Sequence, residues 1–168
     1  KISWAKATKI LLYCTFFNLV GAVILAYLFN QSFSFLTPKD DSFVVTAATI
    51  KLGKSDWGNF IEGITANMFV NMAIMGYMLL KEESAKIFVA ISAIFMFVFL
   101  INEHLVANFA AFMLLAFNHA KENVETFTLM NILRQWTVVF FANWLGGGLF
   151  IGIAYAWLNQ TKTKHVEG

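Results

Sequence analysis

The chain has 168 residues, of which 59% are hydrophobic and only 13% are charged, and its formal net charge is +2. Soluble domains carry roughly 25% charged residues, so this composition indicates an integral membrane protein. The net charge is too small to indicate nucleic-acid binding and no basic stripe is present, and three histidines with one cysteine are too few for a zinc cluster. We therefore predict neither a metal site nor a cofactor.

Four segments are predicted to be membrane-spanning helices, because crossing the hydrocarbon core takes about 20 apolar residues. These segments cover approximately residues 10–29, 60–80, 87–117 and 135–158. The polar segment 30–59 contains the single proline, Pro38, and is predicted to be a loop with a partial helix from Phe43 to Leu52. We expect the spans to form an all-α fold, with residues 1–168 making a single transmembrane domain.

The third segment, from Ile87 to Phe117, is too long for one ordinary span. A helix of about 31 residues would measure about 46 Å, against a hydrocarbon core of about 30 Å. The polar triplet Asn102-Glu103-His104 interrupts this apolar run. A charge at mid-membrane costs at least about 2.5 kcal/mol and usually marks a functional site. We therefore predict a broken helix near Asn102–His104, with half-helix ends facing a site near the midplane.

The fourth segment combines small residues with a buried amide. Gly146-Gly147-Gly148 is followed by Gly152, and Gly148 and Gly152 have the small-xxx-small spacing that permits close helix packing. Asn143 precedes the glycines by about one turn, and an asparagine at membrane depth needs a hydrogen-bond partner. The sequence leaves two roles open for Asn143: helix packing alone, or support of a pore.

Lysine and arginine counts predict the orientation in the membrane. One side would hold Lys1, Lys6, Lys9, Lys81, Lys86, Lys162 and Lys164, and the other Lys39, Lys51, Lys54, Lys121 and Arg134. The first set lies nearer to short loops, which carry the most weight. We expect a multi-pass protein of the cell (plasma) membrane with both ends of this chain in the cytoplasm.

Several short sequence motifs in this chain resemble those of one transporter family. Glu103–Asn108 reads Glu-His-Leu-Val-Ala-Asn and resembles the Glu-His-x-x-Ala-Asn signature of the formate/nitrite transporter family. Other matches follow the family's helix order: Asn18–Ala22 resembles the third helix, Asn67–Val70 the fourth, and Asn143–Gly148 with Gly152 and Tyr155 the sixth. Lys51 lies 16 residues before Asn67, where the family keeps a lysine on the outer approach.

The resemblance implies an aquaporin-like channel fold of six helices with inverted repeats. This chain resembles the third to sixth helices, so we expect it to be a fragment or part of a longer protein, with the first two family helices absent. The family usually has Gly-Phe before the Glu-His pair, whereas Ile101-Asn102 stands here. That departure changes the shape and polarity next to the histidine.

The resemblance also implies a function: a channel or transporter for small monovalent anions such as formate, nitrite or hydrosulfide, and not an enzyme. It places His104, Lys51 and Asn67 on the substrate pathway, Val70 and Phe97 at a pore constriction, and Glu103, Asn108 and Asn143 in supporting positions. The implied partners are the anion, a proton, the lipid bilayer and further copies in a homopentamer.

A central histidine would lower the cost of moving an anion through an apolar constriction. A bare anion in a low-dielectric medium costs tens of kcal/mol. Protonating a carboxylate of pKa near 4 at pH 7 costs only about 4 kcal/mol. The unperturbed pKa of histidine, about 6.5, lies close to ambient pH. We expect His104 to allow passage as or with a proton, either by protonating the substrate or by orienting it.

Two other functions are weighed against transport. A b-type cytochrome-like redox subunit needs two histidines on facing helices, and only His104 lies at membrane depth in the predicted spans. A membrane fragment without transport of its own is the other alternative, because two family helices are absent from this chain.

Overall fold

The computed structural model describes residues 3–32 and 42–158, and all regular secondary structure within them is helical. The prediction of an all-α membrane fold is confirmed. The loop residue Pro38 and several lysines used for the orientation lie outside the described residues: Lys1, Lys39, Lys162 and Lys164.

Seven α-helices and two other helical segments make up the described chain. They are α1 (Trp4–Asn30), α2 (Phe43–Gly53), α3 (Asp56–Leu79), α4 (Glu83–Phe99), α5 (Leu105–Ala116), a 3-10 helix (His119–Asn123), α6 (Leu129–Asn143), a π-helical segment (Trp144–Ile153) and α7 (Ala154–Leu158). The last three follow one another without a gap and form one helix of 30 residues, Leu129–Leu158.

The helices extend beyond the apolar segments that predicted them. α1 begins at Trp4 because the Ser3 side chain caps it, accepting a hydrogen bond from the backbone N–H of Lys6 at 3.3 Å. The short helix α2 ends one residue later than predicted, at Gly53. A helix can continue through polar residues outside an apolar run, so hydropathy alone underestimates helix length.

Two helices among the described residues are long and apolar enough to cross a membrane by length and composition: Trp4–Asn30 and Leu129–Leu158. α3 has 24 residues but carries acidic residues at Asp56 and Glu62. α4 and α5, with 17 and 12 residues, are separated by the break. The arrangement of four spans in one domain therefore stays a prediction.

Packing divides the chain into two compact units. The first comprises residues 1–56 and 105–137, and the second residues 57–104 and 138–168. The core of the first unit surrounds the fully buried side chains of Phe112 and Leu115.

In the first unit, α2 contributes to that core and α1 is tied to the end of α5 by amides. The Asn30 side chain donates to the Leu114 carbonyl at 3.0 Å, and the Asn118 side chain donates to Asn30 Oδ1 at 3.2 Å. These two hydrogen bonds, one buried and one partly buried, hold the C-terminal ends of α1 and α5 together.

In the second unit, α3 packs closely against the glycine-rich part of the last helix. A Cβ on Gly63 would lie 2.6 Å from Ala142 Cβ, and a Cβ on Gly146 would collide with the Ile64 carbonyl. The close approach that the Gly148 and Gly152 spacing permits is not used among the described residues, since a Cβ on Gly152 would meet only the Gly147 carbonyl oxygen of the same helix, at 3.4 Å. A Cβ on Gly148 would meet only the Trp144 side chain of the same helix, at 3.6 Å, because Gly148 does not face α3.

Candidate functional site

The broken helix lies where the polar triplet predicted it. α4 ends at Phe99 and α5 begins at Leu105, which confirms the break near Asn102–His104. Two backbone hydrogen bonds close the end of α4: Asn102 N–H donates to the Phe97 carbonyl at 3.2 Å, and Ile101 N–H to the Val98 carbonyl at 3.0 Å. This pair of bonds is the Schellman motif, which stops a helix and redirects the chain.

Ile101 occupies the left-handed position of that motif, with φ of 50°. It is the one residue with positive φ among residues 3–32 and 42–158. Glycine is usual at this position because a Cβ there costs roughly 1–2 kcal/mol, and β-branched residues are rare outliers. Ile101, a β-branched residue, is therefore held in a strained conformation, and sequence reasoning missed its role.

His104 directly precedes the first residue of α5 and is half-buried. Its imidazole ring contacts the Phe97 ring edge-on, with centroids 5.6 Å apart and an interplanar angle of 69°. Phe97 is half-buried, unlike Phe95 and Phe99, which are exposed and stack on each other. The structure thus brings together the predicted central histidine and one predicted constriction residue.

Asn143 holds the break in place through a single amide group. Its Nδ2 donates to the Glu103 carbonyl at 2.9 Å and to the Gly63 carbonyl at 2.8 Å. Glu103 itself is fully buried. Asn143 is predicted to need a hydrogen-bond partner, and it has two: the backbone at the break and the backbone of α3. This geometry suits a supporting position, since the amide contacts backbone atoms.

Asn67 connects α3 to the same part of the last helix. Its Nδ2 donates to the Asn143 carbonyl, and Asn71 Nδ2 donates to the Asn67 carbonyl at 2.8 Å. Gly147 makes room for these amides, because a Cβ there would lie 2.9 Å from Asn67 Nδ2. Val70, the other predicted constriction residue, is half-buried on the same helix.

The polar contacts of the second unit coincide with a change of helix type. Asn143 is the last α-helical residue before the π-helical segment Trp144–Ile153. π-helical turns are rare and occur frequently at functional sites, because the altered register of backbone bonds repositions carbonyl groups. Here the carbonyl at the junction accepts the side-chain hydrogen bond from Asn67.

Lys51 and Asn108 belong to the first unit. Lys51 lies in the last turn of α2 and is only 8% exposed, so it is not a solvated loop lysine. A cation at the C-terminal end of a helix is favoured by the helix dipole. Asn108 lies in α5 and is fully buried.

The described residues contain no group of three or more histidine, cysteine, aspartate or glutamate side chains that could hold a metal ion. The residues around the break include the His104 imidazole, the buried Glu103 carboxyl group, several carboxamides and aromatic rings. Such groups exchange hydrogen bonds and protons, which suits small polar or ionisable solutes.

Comparison with known proteins finds relatives across nearly the whole chain. The uncharacterized transporter YwcJ of Bacillus subtilis (strain 168) is 31% identical over 162 residues, covering 96% of this chain and 62% of that protein. The nitrite transporter NirC of Escherichia coli (strain K12) is 34% identical over 149 residues, covering 88% of this chain and 53% of that protein. The formate channel FocA of the same strain is 29% identical over 187 residues, covering 98% of this chain and 64% of that protein.

A solved structure described as an FNT family ion channel matches with a TM-score of 0.85 at 30% sequence identity, covering 94% of this chain and 61% of that chain. This chain therefore spans less than two thirds of the length of these relatives. Members of the family are channels and transporters, which confirms the prediction that the chain is not an enzyme. Residues 1–157 match the model of the formate/nitrite transporter family, and the chain belongs to that family.

Proposed function

We propose that the full-length protein carries small monovalent anions, such as formate, nitrite or hydrosulfide, across the cell membrane. Family membership supports this proposal. The relatives NirC and FocA are named as a nitrite transporter and a formate channel. The proposal includes a multi-pass arrangement with both ends of this chain in the cytoplasm, as the lysine distribution predicts.

The observation that carries the proposal is the position of His104 at the helix break, in edge contact with Phe97. The N-terminal end of a helix carries a partial positive charge, which favours an anion close to the residue preceding α5. The Phe97 ring adds an apolar wall, against which a neutral acid is far less costly than its anion. A histidine there can donate a proton or a hydrogen bond to the solute at near-neutral pH.

The remaining roles follow from the contacts of each residue. Asn67 and Val70 belong to the same pathway and constriction, on α3. Glu103 and Asn143 hold the break through the hydrogen bond from the Asn143 amide to the Glu103 carbonyl. For Lys51 and Asn108, the roles of outer anion attraction and of support rest on the family resemblance.

Transport is tested by anion uptake into liposomes that contain the full-length protein. We expect formate or nitrite to enter faster than into protein-free liposomes, with hydrosulfide and lactate measured side by side to establish selectivity. If uptake of every anion equals that of protein-free liposomes, the proposed function is wrong. The non-transporting membrane protein would then be the better interpretation.

The role of His104 is tested by His104→Phe in the same assay. We expect this variant to lose most of its anion flux, or its dependence on pH, because phenylalanine keeps a ring beside Phe97 but cannot exchange a proton. His119→Phe is the matched control, since His119 is exposed on the 3-10 helix. Unchanged flux and pH dependence in a correctly assembled His104→Phe protein would exclude His104 from the mechanism.

A further inference from the structure

Two asparagines of α3 lie one helical turn apart and face the same glycine of the last helix. Asn67 and Asn71 are four residues apart, so their side chains lie on one face of α3. A Cβ on Gly147 would lie 2.5 Å from Asn71 Nδ2 and 2.9 Å from Asn67 Nδ2. Both amide nitrogens are therefore packed against the backbone of the last helix, within the second unit.

The Asn67 carboxamide has two ends with opposite effects on an anion. Its Nδ2 carries two hydrogens that can be donated to an anion, whereas its Oδ1 can only accept hydrogen bonds and repels negative charge. Among residues 3–32 and 42–158, Nδ2 has one acceptor, the Asn143 carbonyl. The second hydrogen therefore remains for a solute, and the Asn67 side chain is only half-buried. Which end of this amide faces the solute is decided by the neighbours of the amide.

Asn71 contacts the oxygen end of the Asn67 carboxamide. Asn71 Nδ2 donates to the Asn67 backbone carbonyl at 2.8 Å and lies 3.4 Å from Asn67 Oδ1. The shorter bond holds the Asn71 side chain against α3, and the longer contact places an NH2 donor beside the oxygen of Asn67. If the Asn67 amide were turned over, two NH2 groups would face each other, and neither can accept a hydrogen bond. Asn71 thus favours the orientation in which Asn67 Nδ2 bonds to Asn143.

Another asparagine makes the same local bond without orienting a second amide. Asn18 Nδ2, in α1, donates to the carbonyl of Cys14, also four residues earlier, at 2.7 Å. In the described part of the chain, Asn18 makes no hydrogen bond to another side chain. The contact with Asn67 Oδ1 therefore distinguishes Asn71 from an asparagine that only bonds back to its own helix.

We propose that Asn71 is a positioning residue of the anion pathway and acts through Asn67. It keeps the Asn67 oxygen directed towards Asn71, so that Nδ2 bonds to the Asn143 carbonyl and offers its second hydrogen to the anion. The effect on transport rests on the proposed function, in which Asn67 lies on the substrate pathway, whereas the orientation of the amide does not.

The orientation is tested first, by solid-state NMR of the full-length protein labelled with asparagine that carries 15N in the side chain and 13C in the backbone carbonyl. The measured quantity is the dipolar coupling between Asn67 Nδ2 and the Asn143 carbonyl carbon, identified by its loss in Asn67→Ala. In Asn71→Leu we expect this coupling to fall to about half, because a released amide averages between two orientations. Asn18→Leu is the matched control and should keep the wild-type coupling.

A second variant separates orientation from folding. Asn71→Ser keeps a hydroxyl that can donate to the Asn67 carbonyl, as serine does in helices, but its shorter side chain moves the donor away from Oδ1. It should assemble like the wild type in size-exclusion chromatography and lower the coupling as Asn71→Leu does. A wild-type coupling in both Asn71 variants, or in Asn71→Ser alone, would overturn the proposal by showing that the contact with Oδ1 does not orient Asn67.

The consequence for transport is measured as formate uptake into liposomes over a range of concentrations. Asn71→Leu and Asn71→Ser should raise the apparent KM about twofold at an unchanged maximal rate, since only the competent fraction of Asn67 binds the anion. Asn67→Ala, which removes the donor, should raise KM about tenfold. In that background Asn71→Leu should change nothing further, because residues that act through one another are not additive. Asn18→Leu should keep the wild-type KM.

The two measurements distinguish the failure of this proposal from that of the proposed function. Absence of uptake by the wild type would contradict transport, and the NMR coupling would still decide whether Asn71 orients Asn67. Wild-type uptake with an unchanged KM in both Asn71 variants would overturn the positioning role. An equal further rise of KM from Asn71→Leu in the Asn67→Ala background would also overturn it, because Asn71 would then act independently of Asn67.

Discussion

At the scale of single residues, the site depends on the strained backbone of Ile101 and on the Asn143 side-chain amide, which donates two hydrogen bonds. Ile101 adopts the left-handed conformation that closes α4, and two residues later Glu103 presents its carbonyl to Asn143. His104 then follows at the start of α5. The strain at Ile101 lies three residues from His104, and strained residues often cluster at functional sites.

We expect Ile101→Gly to raise the stability of the protein by up to about 1 kcal/mol, because glycine adopts φ of 50° without the steric cost of a Cβ. The measurement is the thermal unfolding midpoint of the purified protein in detergent. Ile91→Gly is the matched control, since Ile91 is exposed within α4. Glycine in a regular helix should lower stability there. A lower midpoint for Ile101→Gly would contradict the assigned backbone strain.

At the scale of elements, close packing of α3 against the last helix organises the second unit. Gly63 and Gly146 permit this approach, and the Asn143 amide satisfies the Gly63 carbonyl at the same level. The π-helical segment of 10 residues begins immediately after Asn143. Small residues allow backbones to approach, and the amides then satisfy carbonyl groups that water cannot reach in a membrane.

Gly146→Ala should destabilise the protein by roughly 1–3 kcal/mol, since its methyl group would collide with the Ile64 backbone and force α3 to move. Gly148→Ala is the matched control. Its methyl group meets only the Trp144 side chain, so stability should stay unchanged or rise by up to about 1 kcal/mol. Unfolding midpoints of both variants check this prediction, and equal effects would show that α3 does not contact the last helix at Gly146.

At the scale of the whole molecule, the chain spans only part of the length of the relatives named above. It covers 53% of NirC and 64% of FocA. Many large apolar side chains are exposed in this chain, such as Phe17 at 65%, Phe88 at 72% and Phe99 at 68%. Such surfaces suit contact with lipid or with further membrane helices.

We expect the full-length protein to form a homopentamer, as the family resemblance predicts. Native mass spectrometry of the protein in detergent or nanodiscs measures this directly through the mass of the assembly. The mass should correspond to about five subunits, with Lys86→Gln, a surface change, giving the same value. A monomer or dimer as the dominant species would contradict the prediction.

The sequence alone determined the helical membrane class, the family and the position of the break. The class follows from hydropathy, the break from the cost of Glu103 and His104 in an apolar run, and the family from the resemblance of several short motifs to the formate/nitrite transporters. Each is a local property of the chain, readable from consecutive residues.

Only the tertiary structure decided which groups meet. It paired His104 with Phe97, gave Asn143 two backbone carbonyls as partners, and assigned the close helix approach to Gly146 instead of Gly148. It also showed that Ile101 takes a left-handed conformation and that Lys51 is buried. Facing directions and buried partners depend on residues far apart in the chain, so spacing along one helix does not fix which glycine faces a neighbouring helix.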